Sequence, residues 1–150
     1  MYLLGSQELA DLVSGEEGRP IFNWLDAAEP GEDDLFVSVI SLGLVAQMIE
    51  SLPIVDREPW RCVLARGRRA LEERGSVIDV DMAIVDVWAS SLRGEPLVEV
   101  DPETSIEYDL GEDERLVVAT AIARNYSLVT RRTEPLDAIA SRTTLTIVEP

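Results

Sequence analysis

Apolar residues along this chain fall into short runs of strand length, separated by stretches in which they recur at helical spacing. Tyr2 to Leu4 predicts a short buried strand. Ser6 stands where a helix N-cap would, and Leu9, Leu12 and Val13 follow on one face until Gly15 and Gly18 stop the helix. A second helix is expected over Pro20 to Ala28, with Ile21, Trp24 and Leu25 aligned. Leu35 to Ile40 has the composition of a strand, and Ser41 is placed to cap a helix carrying Leu42, Val45, Ile49 and Leu52, which Pro53 ends. The pattern continues with a helix over Pro59 to Arg74 and a β-like segment at Val77 to Val80. Asp81 then caps a helix through Ser91. Gly94 to Tyr108, with Pro96 and Pro102, reads as a loop. Asp109 and Glu112 have capping-box spacing for a helix running to about Asn125. Ser127 to Thr130 and Leu145 to Val148 are expected strands, with a helical turn at Leu136 to Ala140 between them.

Short apolar strands alternating with helices imply an α/β fold: a short, mostly parallel central sheet with helices on both faces, three layers in one domain over residues 1–150. In such a sheet, chemistry gathers at the carboxyl ends of the strands. Here those ends lie just after Leu4, Ile40 and Thr130, with the start of the Asp109–Asn125 helix alongside.

Composition narrows the chemistry available. The chain has no histidine and a single cysteine, so His-based triads, Cys-His dyads and imidazole zinc sites are excluded. Carboxylates, hydroxyls and arginines remain. Cys62 has no disulfide partner, which with the absence of a basic leader points to a reducing cytoplasm, and it is expected to be a small buried hydrophobe. The longest apolar stretch, Leu35 to Ile49, is interrupted by Ser38, Ser41, Gly43 and Gln47, so no membrane span is expected. The net charge of -16 opposes a phosphate backbone, and RNA is an unfavoured partner unless a cation or a local basic patch offsets it. Trp24, Trp60 and Trp88 sit in or beside apolar helix patterns and are expected to pack rather than to stack on bases.

Three segments together carry a family resemblance. Met1-Tyr2-Leu3-Leu4 with its short helix, Val39-Ile40-Ser41-Leu42-Gly43, and Val118-Ala119-Thr120-Ala121 followed by Leu128-Val129-Thr130-Arg131 resemble, in order and distance, the VapC-type PIN domains. The resemblance spans nearly the whole chain and implies a PIN-like fold. It also implies RNA cleavage dependent on Mg²⁺ or Mn²⁺ through three or four acids, homodimers, and antitoxin peptides bound in a groove. Carried across position by position, the family's acid after the first strand falls on Gly5. The acid after the second motif falls on Leu44, the third on Glu114, and the fourth on Pro135. One carboxylate of four is kept.

A lone carboxylate does not hold a strongly hydrated cation. The expectation is therefore a pseudo-nuclease with no cofactor, acting as an interaction module and linked to a toxin–antitoxin system as a homodimer or with an antitoxin-like or PIN-domain partner. Restoring both acids (Gly5→Asp with Leu44→Glu) is expected to create Mn²⁺ binding. Two alternatives stay open. The first is a metal-dependent ribonuclease with a rearranged site drawn from Glu112, Asp113, Glu114, Glu134 and Asp137, or from Glu8 and Asp11. Glu112, Asp113 and Glu114 equally suit the positive end of a helix dipole, and Glu8 and Asp11 are expected to face solvent opposite Leu9 and Leu12. The second is metal-free nucleic-acid binding through Arg61, Arg66, Arg68, Arg69 and Arg74, which equally form a solvated face paired with Glu72 and Glu73.

Overall fold

The structure, a computed structural model, describes residues 1–93, 98–100 and 107–150. Strand β1 (Tyr2–Leu4) leads into helices α1 (Ser6–Ser14) and α2 (Pro20–Ala28). Strand β2 (Leu35–Ser38) is followed by α3 (Val39–Ser51) and α4 (Ile54–Glu73), and β3 (Val77–Ile78) by α5 (Met82–Val87), which continues as a π-helical turn over Trp88–Leu92. Strands β4 (Val98–Val100) and β5 (Glu107–Asp109) pair antiparallel; α6 (Glu112–Arg124), β6 (Ser127–Val129), α7 (Glu134–Ala140) and β7 (Thr146–Val148) complete the chain.

The main sheet has the order β3-β2-β1-β6-β7, and each neighbouring pair runs parallel. Alternation along the strands divides the core in two. Leu3, Phe36, Leu128 and Ile147 face one layer, where they meet Ile84, Val117, Val118, Ala121 and Ile139 from α5, α6 and α7. Leu4, Val37, Val129 and Val148 face the other, against Leu9, Val13, Ile21, Val45 and Ile49 from α1, α2 and α3. The expected three-layer α/β architecture is therefore present.

Several expectations change at element boundaries. Strand β2 ends at Ser38, two residues early, because Ser38 rather than Ser41 caps α3 by accepting a hydrogen bond from the Ile40 N–H at 3.2 Å. Ser41 lies inside the helix and is buried. Helix α4 starts at Ile54, with Pro53 as its N-cap and Pro59 inside it. A proline signal read as a start thus lies past the first turn. Where Gly94 to Tyr108 is read as a loop, residues 98–100 pair antiparallel with residues 107–109; residues 94–97 and 101–106 lie outside the described residues. Asp109 closes β5 instead of capping α6, whose N-cap is Gly111. Asp81 caps α5 as expected, accepting from the Ile84 N–H at 3.2 Å. Cys62 is exposed, not buried, because α4 lies on the outside of the molecule and buries none of its residues fully. Trp24 meets Tyr2 edge-on at 5.2 Å, and Trp60 packs against the second core cluster. No helix among the described residues is long and apolar enough to cross a membrane.

Candidate functional site

The sheet order reverses at β1, which has β2 on one side and β6 on the other; such a switch point leaves a crevice beyond the strand ends. A cavity of about 660 Å³ opens there, walled by Gly5 after β1, Thr130 and Arg131 after β6, Glu8 of α1 and Glu114 of α6.

Gly5 is the N-cap of α1, so Ser6, expected in that role, is instead the first helical residue. Its hydroxyl donates a hydrogen bond to the Glu114 carboxylate across the cavity. Glu114 is half-buried in the first turn of α6, beside Glu112 and Asp113. Those two neighbours are exposed, and neither lines the cavity: Glu112 accepts from the Trp88 indole N–H at 2.8 Å.

Glu8 departs furthest from expectation. It was expected in solvent, yet only 4 % of it is exposed. One helical turn after Gly5, its side chain folds back over the glycine: a Cβ built on Gly5 would stand 2.3 Å from Glu8 Oε2. Oε1 accepts from the Arg131 backbone N–H at 3.3 Å, while Oε2 is buried with no hydrogen-bond partner among the described residues. Burial pushes the Glu8 carboxyl above the usual glutamate range, against the lowering effects of its own backbone N–H, the Arg131 N–H and the Thr130 hydroxyl. A helix carboxylate thus occupies the space into which a strand-end side chain at position 5 would project. The periodicity of α1 hid this, because Glu8 lies next to Leu9 in sequence and the apolar stripe alone assigns it to the outer face.

The other candidates do not converge here. Leu44 is half-buried in α3 and does not line the cavity. Pro135 is buried at the start of α7. Asp137 and Glu134 are exposed, and Asp137 lies 3.5 Å from Arg132. Asp11 lines the cavity rim, half-buried, and accepts from the Gln7 amide at 3.0 Å. Among the described residues, no group of three or more Asp, Glu, His or Cys gathers in a way that could hold a metal ion. The Mg²⁺ or Mn²⁺ implied by the resemblance must be judged on Glu8, Glu114 and the hydroxyls of Ser6 and Thr130. Two carboxylates, one of them on the buried Glu8, fall short of the three or four acids that the resemblance implies. They do not suit a paired-metal centre. On α4, Arg61 pairs with Glu50 at 2.6 Å and Arg68 with Glu72 at 2.7 Å, so those two arginines of the basic cluster are already neutralised.

Comparison with solved structures places this architecture. A chain in the crystal structure of VapBC2 from Rickettsia felis, bound to a DNA fragment from their promoter, superposes with a TM-score of 0.67 at 17 % identity, covering 99 % of this chain and 98 % of that one. The fold is PIN-like. A chain of FitAB bound to an IR36 DNA fragment gives 0.69 at 15 % identity, covering 100 % of this PIN-like chain and 95 % of its own. A chain of a toxin–antitoxin complex from Klebsiella pneumoniae gives 0.62 at 22 % identity, covering 99 % and 96 %. No family model matches the chain, and no curated protein matches it.

Proposed function

We propose that this PIN-like protein serves as one partner of a toxin–antitoxin-type pair, working through protein contacts in the cytoplasm rather than by metal-dependent RNA cleavage. One observation carries the reading: three of the four positions where the resemblance implies an acid hold Gly5, Leu44 and Pro135, and among the described residues no three acids are grouped closely enough to hold a metal ion. Hydrolysis of a phosphodiester needs a cation to activate water and to screen the developing charge, and the family's constellation for that is missing.

The solved structures it superposes on are assemblies of two kinds of chain, VapBC2 and a toxin–antitoxin complex, which supports a protein partner. An apolar groove of about 230 Å³ between α1 and α4, walled by Leu9, Leu12, Val13, Leu64 and Leu71, suits the apolar face of a partner segment. Self-association as a homodimer belongs to the same proposal.

The test is an RNA cleavage assay with saturating Mn²⁺, using Glu114→Ala as the control. The expected result is no cleavage above that control; metal-dependent cleavage that Glu114→Ala removes would overturn the reading.

A further inference from the structure

We propose that Glu8 is a proton-operated latch beside the β1–β6 cavity. As the uncharged acid it closes the first turn of α1 over the ends of β1 and β6; on losing its proton it swings into the cavity water and frees that turn. The proposal does not rest on the protein-contact reading above, since the latch requires neither a partner nor RNA.

Geometry carries it. Glu8 is more than nine-tenths buried, although the cavity it helps to wall lies beside it. Its Oε1 accepts from the Arg131 backbone N–H and so ties α1 to the chain after β6. Its Oε2 fills the space left by the missing side chain of Gly5 and has no hydrogen-bond partner among the described residues. A sealed oxygen without a donor is costly for a carboxylate and far less so for a carboxylic acid, because protonation removes the buried charge. The charges nearby do not offset that cost. Asp11, further along α1, opposes ionisation of Glu8. Arg19, the N-cap of α2, is engaged by Asp11 and Glu16. Glu114 of α6 and Glu149 after β7, on the same cavity wall, are acids. Arg131 meets Glu8 through its backbone N–H. A value raised in the folded state, here by burial first, gives stability that is present below the unfolded value and lost as pH rises through the folded one. The first turn of α1 reports the latch directly, since the Leu9 N–H donates to the Gly5 carbonyl at 3.1 Å.

The experiment is an NMR pH titration of the full chain, reading the Glu8 carboxyl carbon together with the hydrogen-exchange protection of individual amides. Glu8 is expected to titrate above the exposed glutamates of the same chain, with the Gly5 and Arg131 amides shifting at the same midpoint. Above that midpoint, Leu9 protection is expected to fall at least about tenfold below that in Glu8→Gln, which keeps the shape of the uncharged acid; below it the two proteins are expected to match. Titration of Glu8 among the exposed glutamates overturns the proposal. So does a raised titration that leaves Leu9 protection unchanged, as a merely structural buried acid would. Should Glu8→Gln fail to fold, wild-type protein decides alone: loss of Leu9 protection through the Glu8 midpoint while Leu3 and Leu128 keep theirs supports the latch, and joint loss overturns it. Neither measurement uses RNA, metal or a partner, so failure of the latch leaves the protein-contact reading untouched.

Discussion

A carboxylate taken out of water needs donors or a cation around it, or it takes up a proton. Glu8 has donors on one oxygen only, and its position is permitted by the missing side chain at Gly5. The two residues should therefore be energetically coupled. Gly5→Ala forces the Glu8 carboxylate out of its place, and the energetic effect should depend on whether that carboxylate is present. In urea unfolding of the four proteins of the cycle, Gly5→Ala is expected to cost about 0.5–3 kcal/mol less in a Glu8→Ala background than in wild type. An additive cycle would mean that the two side chains do not compete for this space. The same geometry revises the restoration experiment suggested by the sequence: Gly5→Asp places its Cβ against Glu8, and Leu44 lies off the cavity wall, so adding acids at 5 and 44 without removing Glu8 is not expected to build a site. The identity of the substituted positions was legible in the order of the motifs. The buried acid beside them was not, because a single turn of helix assigns Glu8 to a face only once the path of the strand before it is known.

At the scale of elements, helix existence was readable and helix ends were not, for identifiable reasons. In α3, the competition between two serines three residues apart was decided by the strand: β2 pairs with β3 at Val37 and Ser38 and no further, and the chain turns into the helix there. In α4, proline marked a helix but not its start. Pro59 lies inside α4 and cannot donate to the Val55 carbonyl, so an intrahelical bond is missing. Because Pro59 is exposed, Pro59→Ala is expected to stabilise the protein by about 1–3 kcal/mol in urea unfolding; a loss of stability would indicate that Pro59 is needed to position α4 against α1. The cap of α5 was read correctly because Asp81 uses local chemistry alone. Its carboxyl is held below the ordinary aspartate range first by the Ile84 N–H and then by Arg124, which donates to it at 2.6 Å. A depressed folded-state value gives stability that is present above the unfolded value and lost as pH falls through the folded one. Asp81→Asn keeps a capping oxygen but loses the charge, and Asp81→Ala loses both. The expected order of thermal midpoints at neutral pH is wild type, then Asn, then Ala, with the gap between wild type and Asn closing as the pH drops below the ordinary aspartate range.

For the whole molecule, the net charge of -16 was read first as a bar to nucleic acid, and it also acts on the folded state itself. Like charges confined to a compact domain repel one another, and salt screens that repulsion over about 10 Å at 0.1 M. Added NaCl is therefore expected to raise the thermal midpoint at low ionic strength and to level off as screening saturates. A divalent ion adds a distinct effect if it binds the native state alone, since stabilisation then grows as the logarithm of free ligand beyond saturation. With NaCl and MgCl₂ matched for ionic strength, general screening predicts nearly equal midpoints for the two salts. With Gly5, Leu44 and Pro135 at three of the four acid positions, nearly equal midpoints are the expected outcome, and they would assign the cation's effect to the acidic surface as a whole. A further rise in MgCl₂ that Glu114→Gln abolishes, while its response to NaCl stays intact, would reveal a cation site in the cavity and count against the protein-contact reading. The comparison separates a property of composition, legible from the residue counts, from one that depends on the fold bringing a residue of α1 and one of α6 to the same strand ends.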